Sequence, residues 1–238
     1  MSEPKTILAV GAHPDDLEFG CGGILLKSVG GGARVHCVVT SLGESGSAGT
    51  PELRKVEAQE AAQMLGHASG PQFLDFGGDG MQIASKENVL KIARIIREVK
   101  PTHVLAPTVV KNQHPDHVVV GEAVREACRL ARYGGLAVLK DLPVHRVEVL
   151  GYYTITSSEE RPSGTRMCID VSEVFDDWQK LMACHQTQVS ARGYIELINA
   201  RARQLGMAAG AEYAQEIYLN DPPLVEGFET IERTLRSF

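Results

Sequence analysis

Hydrophobic and polar positions divide the chain into short apolar runs and longer stretches of helical period. TILAV, Thr6 to Val10, is a continuous apolar run of the kind that a strand buried on both faces shows. A Gly-rich turn and then ILLKSV follow it, which reads as strand, loop, helix. ARVHCVVT, Ala33 to Thr40, repeats the strand signal, and the polar loop SLGESGSAGT comes next. Thr50 and Pro51 have the chemistry of an N-cap and a first helical residue for ELRKVEAQEAAQML, whose Leu53, Val56, Ala61, Met64 and Leu65 suit one apolar face. The alternation continues through PQFLDF as strand, KENVLKIARIIREV as helix with Ser85 as its cap, THVLAP as strand and HVVVGEAVREACRLA as helix. VEVLGYYTI, Val147 to Ile155, is a further strand, TSSEERPSGTRM a loop or hairpin, and DVSEVFDDWQKLMACHQ and GYIELINARARQL are helices. Strands that alternate with helices build βαβ units, so the expected fold is α/β, with a mostly parallel sheet flanked by helices. Neither a long linker nor an internal repeat divides residues 1–238, which predicts a single domain.

Ligands of such sheets bind outside the carboxyl ends of the strands, so the polar residues just after strands matter most. His13, Pro14, Asp15 and Asp16 follow the first strand; His114, Pro115, Asp116 and His117 follow THVLAP. Proline biases the residue before it toward extended geometry, which places each leading histidine on a stiff corner. Two histidines and one carboxylate, drawn from two loops at one sheet edge, match the three protein ligands of a catalytic zinc site. Water on such an ion ionises near pH 7, and an adjacent carboxylate can accept its proton, which gives the second aspartate of the pair a task as base. In the second motif one histidine can complete the metal site while the other faces a forming oxyanion, with Asp116 to orient it. HPDD alone is also ordinary turn chemistry. A second HPD at an equivalent strand exit favours the chemical reading. His36, His67, His103 and His145 read as structural, His185 as a pocket-lining candidate, and Cys21 and Trp178 as packing. No GxGxxG follows the first strand, so a dinucleotide site is not indicated.

Composition narrows the partners. Hydrophobic residues are 43% and charged residues 23% of the chain, an ordinary globular balance that argues against disorder and membrane spans. A net charge of −6 without a basic run gives no footprint for nucleic acid or an anionic membrane, so a small neutral or weakly anionic ligand fits better. The five cysteines are scattered and lack CxxC spacing, as in reduced thiols of a cytoplasmic protein, and the first residues carry no secretory pattern.

AHPDDLE, Ala12 to Glu18, and HPDH, His114 to His117, resemble the two signatures of the LmbE-like, or PIG-L, family of zinc-dependent N-deacetylases. The glycines after the first motif, the ELRKVEA helix and GYIELINARARQLGMAAGAEYAQEIY are similar to the bacillithiol-pathway branch, which deacetylates N-acetylglucosaminyl malate. The resemblance implies a Rossmann-like sheet with its site at the C-terminal strand ends, zinc held by His13, Asp16 and His117, and Asp15 as general base. It implies that His114, paired with Asp116, stabilises the tetrahedral intermediate and protonates the leaving amine. It further implies that Arg54 binds a polar or anionic group of the substrate, that Tyr194 reaches the oxyanion, that Glu44 contacts the sugar and that Glu18 orients a ligand. A homo-oligomer is implied too, with a hexamer among its forms, and His₂Asp sites accept iron(II) and cobalt(II) as well as zinc.

The chain departs from that branch in GGDGMQIA, Gly77 to Ala84, where an LPDRGL-type segment with a basic residue is expected, and in the Gly/Ser-rich loop 41–49. Both are expected to line the pocket, which leaves the N-acetylated sugar open. Two other functions fit the same residues: an amidase acting on a larger thiol conjugate, and a metal-dependent sugar-binding protein without turnover.

Overall fold

A computed structural model of the protein describes residues 4–67, 69–111, 114–155, 163–190, 193–231 and 233–235. Its strands are β1 (Thr6–Gly11), β2 (Arg34–Val39), β3 (Gln72–Phe73), β4 (His103–Pro107), β5 (Val149–Tyr153), β6 (Arg166–Asp170) and β7 (Ala214–Leu219). Its helices are α1 (Asp16–Gly30), α2 (Pro51–Met64), α3 (Lys86–Val99), α4 (Pro115–Leu130), α5 (Phe175–Ala183), α6 (Gln186–Val189) and α7 (Tyr194–Ala209). The strands form one sheet in the order β3-β2-β1-β4-β5-β7-β6. Pairings from β3 to β5 are parallel, and β7 runs antiparallel to both β5 and β6. This is an α/β fold with a mostly parallel sheet, as the alternation of strands and helices predicts.

All six residues of β1 are buried, which explains why its sequence lacks polar alternation. Ile7 and Ala9 pack on one face with α1, α5 and α7 residues such as Leu25, Trp178 and Ile198. Leu8 and Val10 pack on the other with Ile92 and Ile96 of α3 and Val120 and Val124 of α4. Thr50 and Ser85 cap α2 and α3 as expected, their side chains accepting from Leu53 N and Asn88 N.

Three expectations change. The glycines after the first motif form no turn: Gly20, Gly22 and Gly23 lie inside α1, which starts at Asp16. Close packing explains them, since a Cβ at Gly20 would stand 2.2 Å from the Tyr153 ring. On α2 the buried side carries Arg54, Glu57, Ala58, Ala61 and Ala62, whereas Leu53 and Val56 are each 47% exposed. The helix turns its charged residues inward because they have partners there: Glu57 accepts from Thr187 N and Oγ1 at 2.8 and 2.7 Å. Finally, Arg166 and Met167 open β6 rather than closing a loop, and β7 was not expected at all. Residues 156–162 of that predicted loop lie outside the described residues.

Candidate active site

β1 and β4 are neighbours, yet the chain leaves β1 toward β2 on one side and β4 toward β5 on the other. That divergence opens a crevice at their carboxyl ends, and both HPD motifs exit there. After β1 the backbone folds tightly: His13 O accepts from Asp15 N at 2.9 Å and from Asp16 N at 3.3 Å. Asp15 is the N-cap of α1 and Asp16 its first residue. The two carboxylates therefore separate across a helix boundary. Asp16 Oδ2 accepts from Ala12 N at 2.8 Å and His13 N at 3.0 Å, which fixes it beneath the corner. After β4, His114 is the N-cap of α4, its Nδ1 accepting from Asp116 N at 3.3 Å, and Pro115 is the first helical residue.

The two corners meet. His117 Nε2 lies 3.1 Å from Asp16 Oδ1, and His13 Nδ1 lies 3.5 Å from Asp16 Oδ2. Ring centroids of His13, His114 and His117 are 4.7 to 5.4 Å apart. Nitrogens of these three rings all lie within 4.8 Å of one another, and so do the ligand atoms of His13, Asp79 and Asp116. The far edge of His13 is also acidic: Nε2 is 3.1 Å from Asp116 Oδ2 and 3.1 Å from Asp79 Oδ1. Burial alone would lower the pKa of His13, but Asp16, Asp116 and Asp79 push it up to about 12. Asp16, in turn, is held well below the usual carboxylate range by His117 and His13 in spite of its burial.

Asp15 is set apart from this cluster. Burial, then the adjacent Asp16 charge, raise its pKa, and Arg54 opposes them. Arg54 is 3% exposed, with Nη2 3.3 Å from Asp15 Oδ1 and Nη1 donating to Gly43 O at 3.1 Å. Glycine in the Gly/Ser-rich loop leaves room for that guanidinium: at Gly43, φ +71°, a Cβ would stand 1.9 Å from Arg54 Nη1. Glu44 is exposed and accepts from Leu42 N and Asp79 N at 3.0 and 2.9 Å, so it joins loop 41–49 to loop 77–84.

Several residues differ from expectation. The Asp116 carboxylate is turned to His13, Gly80 N (2.6 Å) and Gln82 N (3.4 Å), not to the His114 ring. As the second residue of α4 it points away from the N-cap side chain and toward the N–H groups of loop 77–84. The Glu18 carboxylate meets no histidine of the corner motifs; it lies 3.2 Å from Nε2 of the fully buried His185. The geometry is that of a charge contact rather than a hydrogen bond, because neither His185 nitrogen has an aligned partner among the described residues. Against burial, Glu18 raises the His185 pKa. Tyr194 opens α7 with its ring 5.7 Å from that of Phe19. Asp79 and Gln82 escaped the sequence reading. Their signal was the GGDG turn, where Gly77, Gly78 and Gly80 adopt positive φ and carry the loop inward. The four histidines read as structural stay outside: His36 and His67 face each other at 3.2 Å, His103 Nδ1 meets Thr102 Oγ1, and His145 Nε2 donates to Pro101 O.

Fold and crevice together define an α/β protein with a buried histidine–aspartate centre at the switch point of its sheet. Residues 8–128 match the model of the PIG-L family, GlcNAc-PI de-N-acetylase, and the chain belongs to that family. It is similar to the conserved protein TT1542 from Thermus thermophilus, with a TM-score of 0.81 at 31% identity over 92% of this chain and 96% of that one. A probable N-acetyl-alpha-D-glucosaminyl L-malate deacetylase 2 from Bacillus cereus is 26% identical across 79% of this chain and 85% of its own. A 4-oxalmesaconate hydratase from Pseudomonas putida is 29% identical across 55% and 54%. Among the described residues, no helix is long and apolar enough to cross a membrane.

Proposed function

We propose that the protein is a metal-dependent hydrolase that removes the N-acetyl group from an N-acetylglucosamine-type sugar conjugate. The observation that carries this reading is the convergence of His13 Nδ1, Asp16 and His117 Nε2, with Asp15 held apart from them by Arg54. Ring nitrogens of His13, His114 and His117 lie within 4.8 Å of one another and Asp16 touches two of these rings, a donor set that a divalent ion fits. Asp16, Asp79 and Asp116 crowd one imidazole, an excess of negative charge that a divalent cation would offset. Two imidazole nitrogens and one carboxylate oxygen are what zinc takes in catalytic sites, with iron(II) and cobalt(II) as alternatives. His13, Asp16 and His117 would hold the ion. Bound there, it would supply Lewis-acid polarisation of water and of an amide carbonyl.

The chain supplies the rest. Asp15, with its raised pKa, is suited to accept the proton of the attacking water and to release it again. Arg54 keeps that carboxylate aimed, a positioning task beside the substrate contact expected of it. Asp116 and Asp79 orient the His13 ring through Nε2, as carboxylates behind metal-bound histidines do. His114 stands at the open edge of the cluster, placed to meet the oxyanion or the leaving nitrogen. Tyr194, at the start of α7, is assigned to the oxyanion, and Glu44 acts through the Asp79 loop. The family match and the malate-deacetylase relative support the sugar amide as substrate. One sheet that joins β1 to β7 supports a single domain over residues 1–238.

Acetate release from N-acetylglucosamine and its malate, inositol and phospholipid conjugates, measured beside the metal content of the purified protein, tests the proposal. Stoichiometric metal with acetate release is the expected result; loaded protein that releases none overturns it. The hydratase relative favours a second reading, water added across an activated double bond. Loss of the absorbance of an unsaturated tricarboxylic acid such as 4-oxalmesaconate, without acetate release from any sugar, is the result that selects it.

A further inference from the structure

Arg54 and Glu57 stand three residues apart on α2, a spacing that shares one helix face, and both are buried. Both Glu57 oxygens accept from a single residue of the short α6: Thr187 N at 2.8 Å and Thr187 Oγ1 at 2.7 Å. Among the described residues Glu57 forms no ion pair. A buried carboxylate is costly, and an apolar side chain would pack the helix at less cost. The other buried residues of α2 are the alanines Ala58, Ala61 and Ala62, which hold its rotation weakly, while Leu53 and Val56 turn outward. The two hydrogen bonds from Thr187 therefore decide which face of α2 turns in.

The same segment holds the loop that meets Arg54. Gln188 Nε2 donates to Ala48 O at 3.1 Å, and at Gly49 a Cβ would stand 2.7 Å from Thr187 Cγ2. Loop 41–49 also supplies Gly43 O, to which Arg54 Nη1 donates. On its other side the segment reaches α1, where His185 Nε2 lies 3.2 Å from Oε2 of Glu18, three residues after Asp15. Residues 185–188 thus brace α1, α2 and loop 41–49, which together form the Arg54–Asp15 contact. We propose that Thr187 is a positioning residue: through Glu57 and loop 41–49 it sets the reach of Arg54, and so the direction of the Asp15 carboxylate, without touching substrate or metal. Arg54 depends on this brace because its hydrogen bonds go to Gly43 O and Asp15 Oδ1, and its buried Nε has no partner among the described residues. A displacement of about 1 Å at such a site slows a reaction by about 100-fold. The inference rests on the deacetylase reading, through the role given there to Asp15.

Acetate release by the metal-loaded full chain gives the test, beside amide hydrogen exchange, which needs no turnover. Thr187→Val keeps the branched shape and removes the hydroxyl. It is expected to lower kcat/KM by about 10- to 100-fold at full metal content, and Thr187→Ser to recover most of that loss. Arg54→Lys removes the fork that bridges Gly43 O and Asp15. In that background Thr187→Val is expected to cost less than about twofold more, because residues that act through one another are not additive. A hydroxyl that only supports the fold would cost the same factor in both backgrounds. That result overturns the proposal, as does a Thr187→Val protein of natural activity or a serine that fails to rescue. Exchange separates this inference from the reaction: Thr187→Val is expected to quicken it in residues 42–57 and to leave α3 at its natural rate. Unchanged exchange in 42–57 overturns the brace whatever the activity. Quickened exchange in a protein whose natural form releases no acetate overturns the deacetylase reading and leaves the brace standing.

Discussion

At the scale of single residues, His13 is the pivot, because its two ring nitrogens face different partners. Nδ1 looks toward Asp16, and Nε2 looks toward Asp116 and Asp79. Asp116→Asn leaves a side chain of the same shape but removes the charge that orients the ring. A weaker hold on the ion follows, by about 10- to 100-fold, measured by competition with a chelator. Unchanged affinity would show that Asp116 acts elsewhere. Asp15→Asn should do the reverse: full metal content with acetate release reduced roughly 10²- to 10⁴-fold, the usual worth of a general base. His13→Ala should lose the metal itself, and equal metal retention in both variants would refute the division of labour. That these side chains meet was legible because AHPDD and HPDH are specific strings at strand exits. Asp79 was not, because its neighbours Gly78 and Gly80 make GGDG read as a turn, and only the folded loop shows that the turn points inward.

At the scale of elements, α1 shows how local rules and packing part company. Glycines inside a helix cost backbone entropy, so the sequence read them as a turn. Tyr153 reverses that judgement: its ring fills the space at Gly20, and its hydroxyl donates to Val10 O at 2.9 Å. Gly20→Ala overpacks this contact and should destabilise the protein by about 1–3 kcal/mol or more, read from urea unfolding. A neutral or stabilised variant would mean that the ring yields. Arg97 of α3 carries a different burden. It is 1% exposed and donates to the carbonyls of Ala131, Tyr133, Leu139 and Leu142, so one guanidinium closes the segment between α4 and β5. Arg97→Met strands several of those oxygens, and a loss of roughly 3 kcal/mol or more is expected from the same unfolding measurement. The apolar count on α2 erred for a related reason. Arg54 and Glu57 have buried partners, so the helix face is chosen by polar contacts that no periodicity records.

At the scale of the whole molecule, the legible part is the parallel half. β1, β2, β4 and β5 carry apolar runs because helices cover both faces, and βαβ alternation announces their order. The antiparallel end was illegible because β6 is half-exposed, so its apolar residues make no run, and because β7 is separated from it by three helices. The site lies where the parallel half diverges, and this has a consequence for stability. His13 and Asp16 follow β1, whereas His117 belongs to α4, about a hundred residues later, so an ion held by the three ties distant parts of the chain together. Such an ion would bind the folded state and find no such site in the unfolded one. At a free concentration 100 times its dissociation constant, an ion adds about 2.7 kcal/mol. A chain of this length gains roughly 2–4 °C in Tm for each kcal/mol, so stripping the ion with a chelator should lower Tm by about 5–10 °C. His13→Ala should melt at one temperature with or without chelator, because the coupling runs through that residue. A natural protein whose Tm ignores the chelator has no ion joining β1 to α4, and its HPD corners are then held by the His13–Asp16 and His117–Asp16 contacts alone.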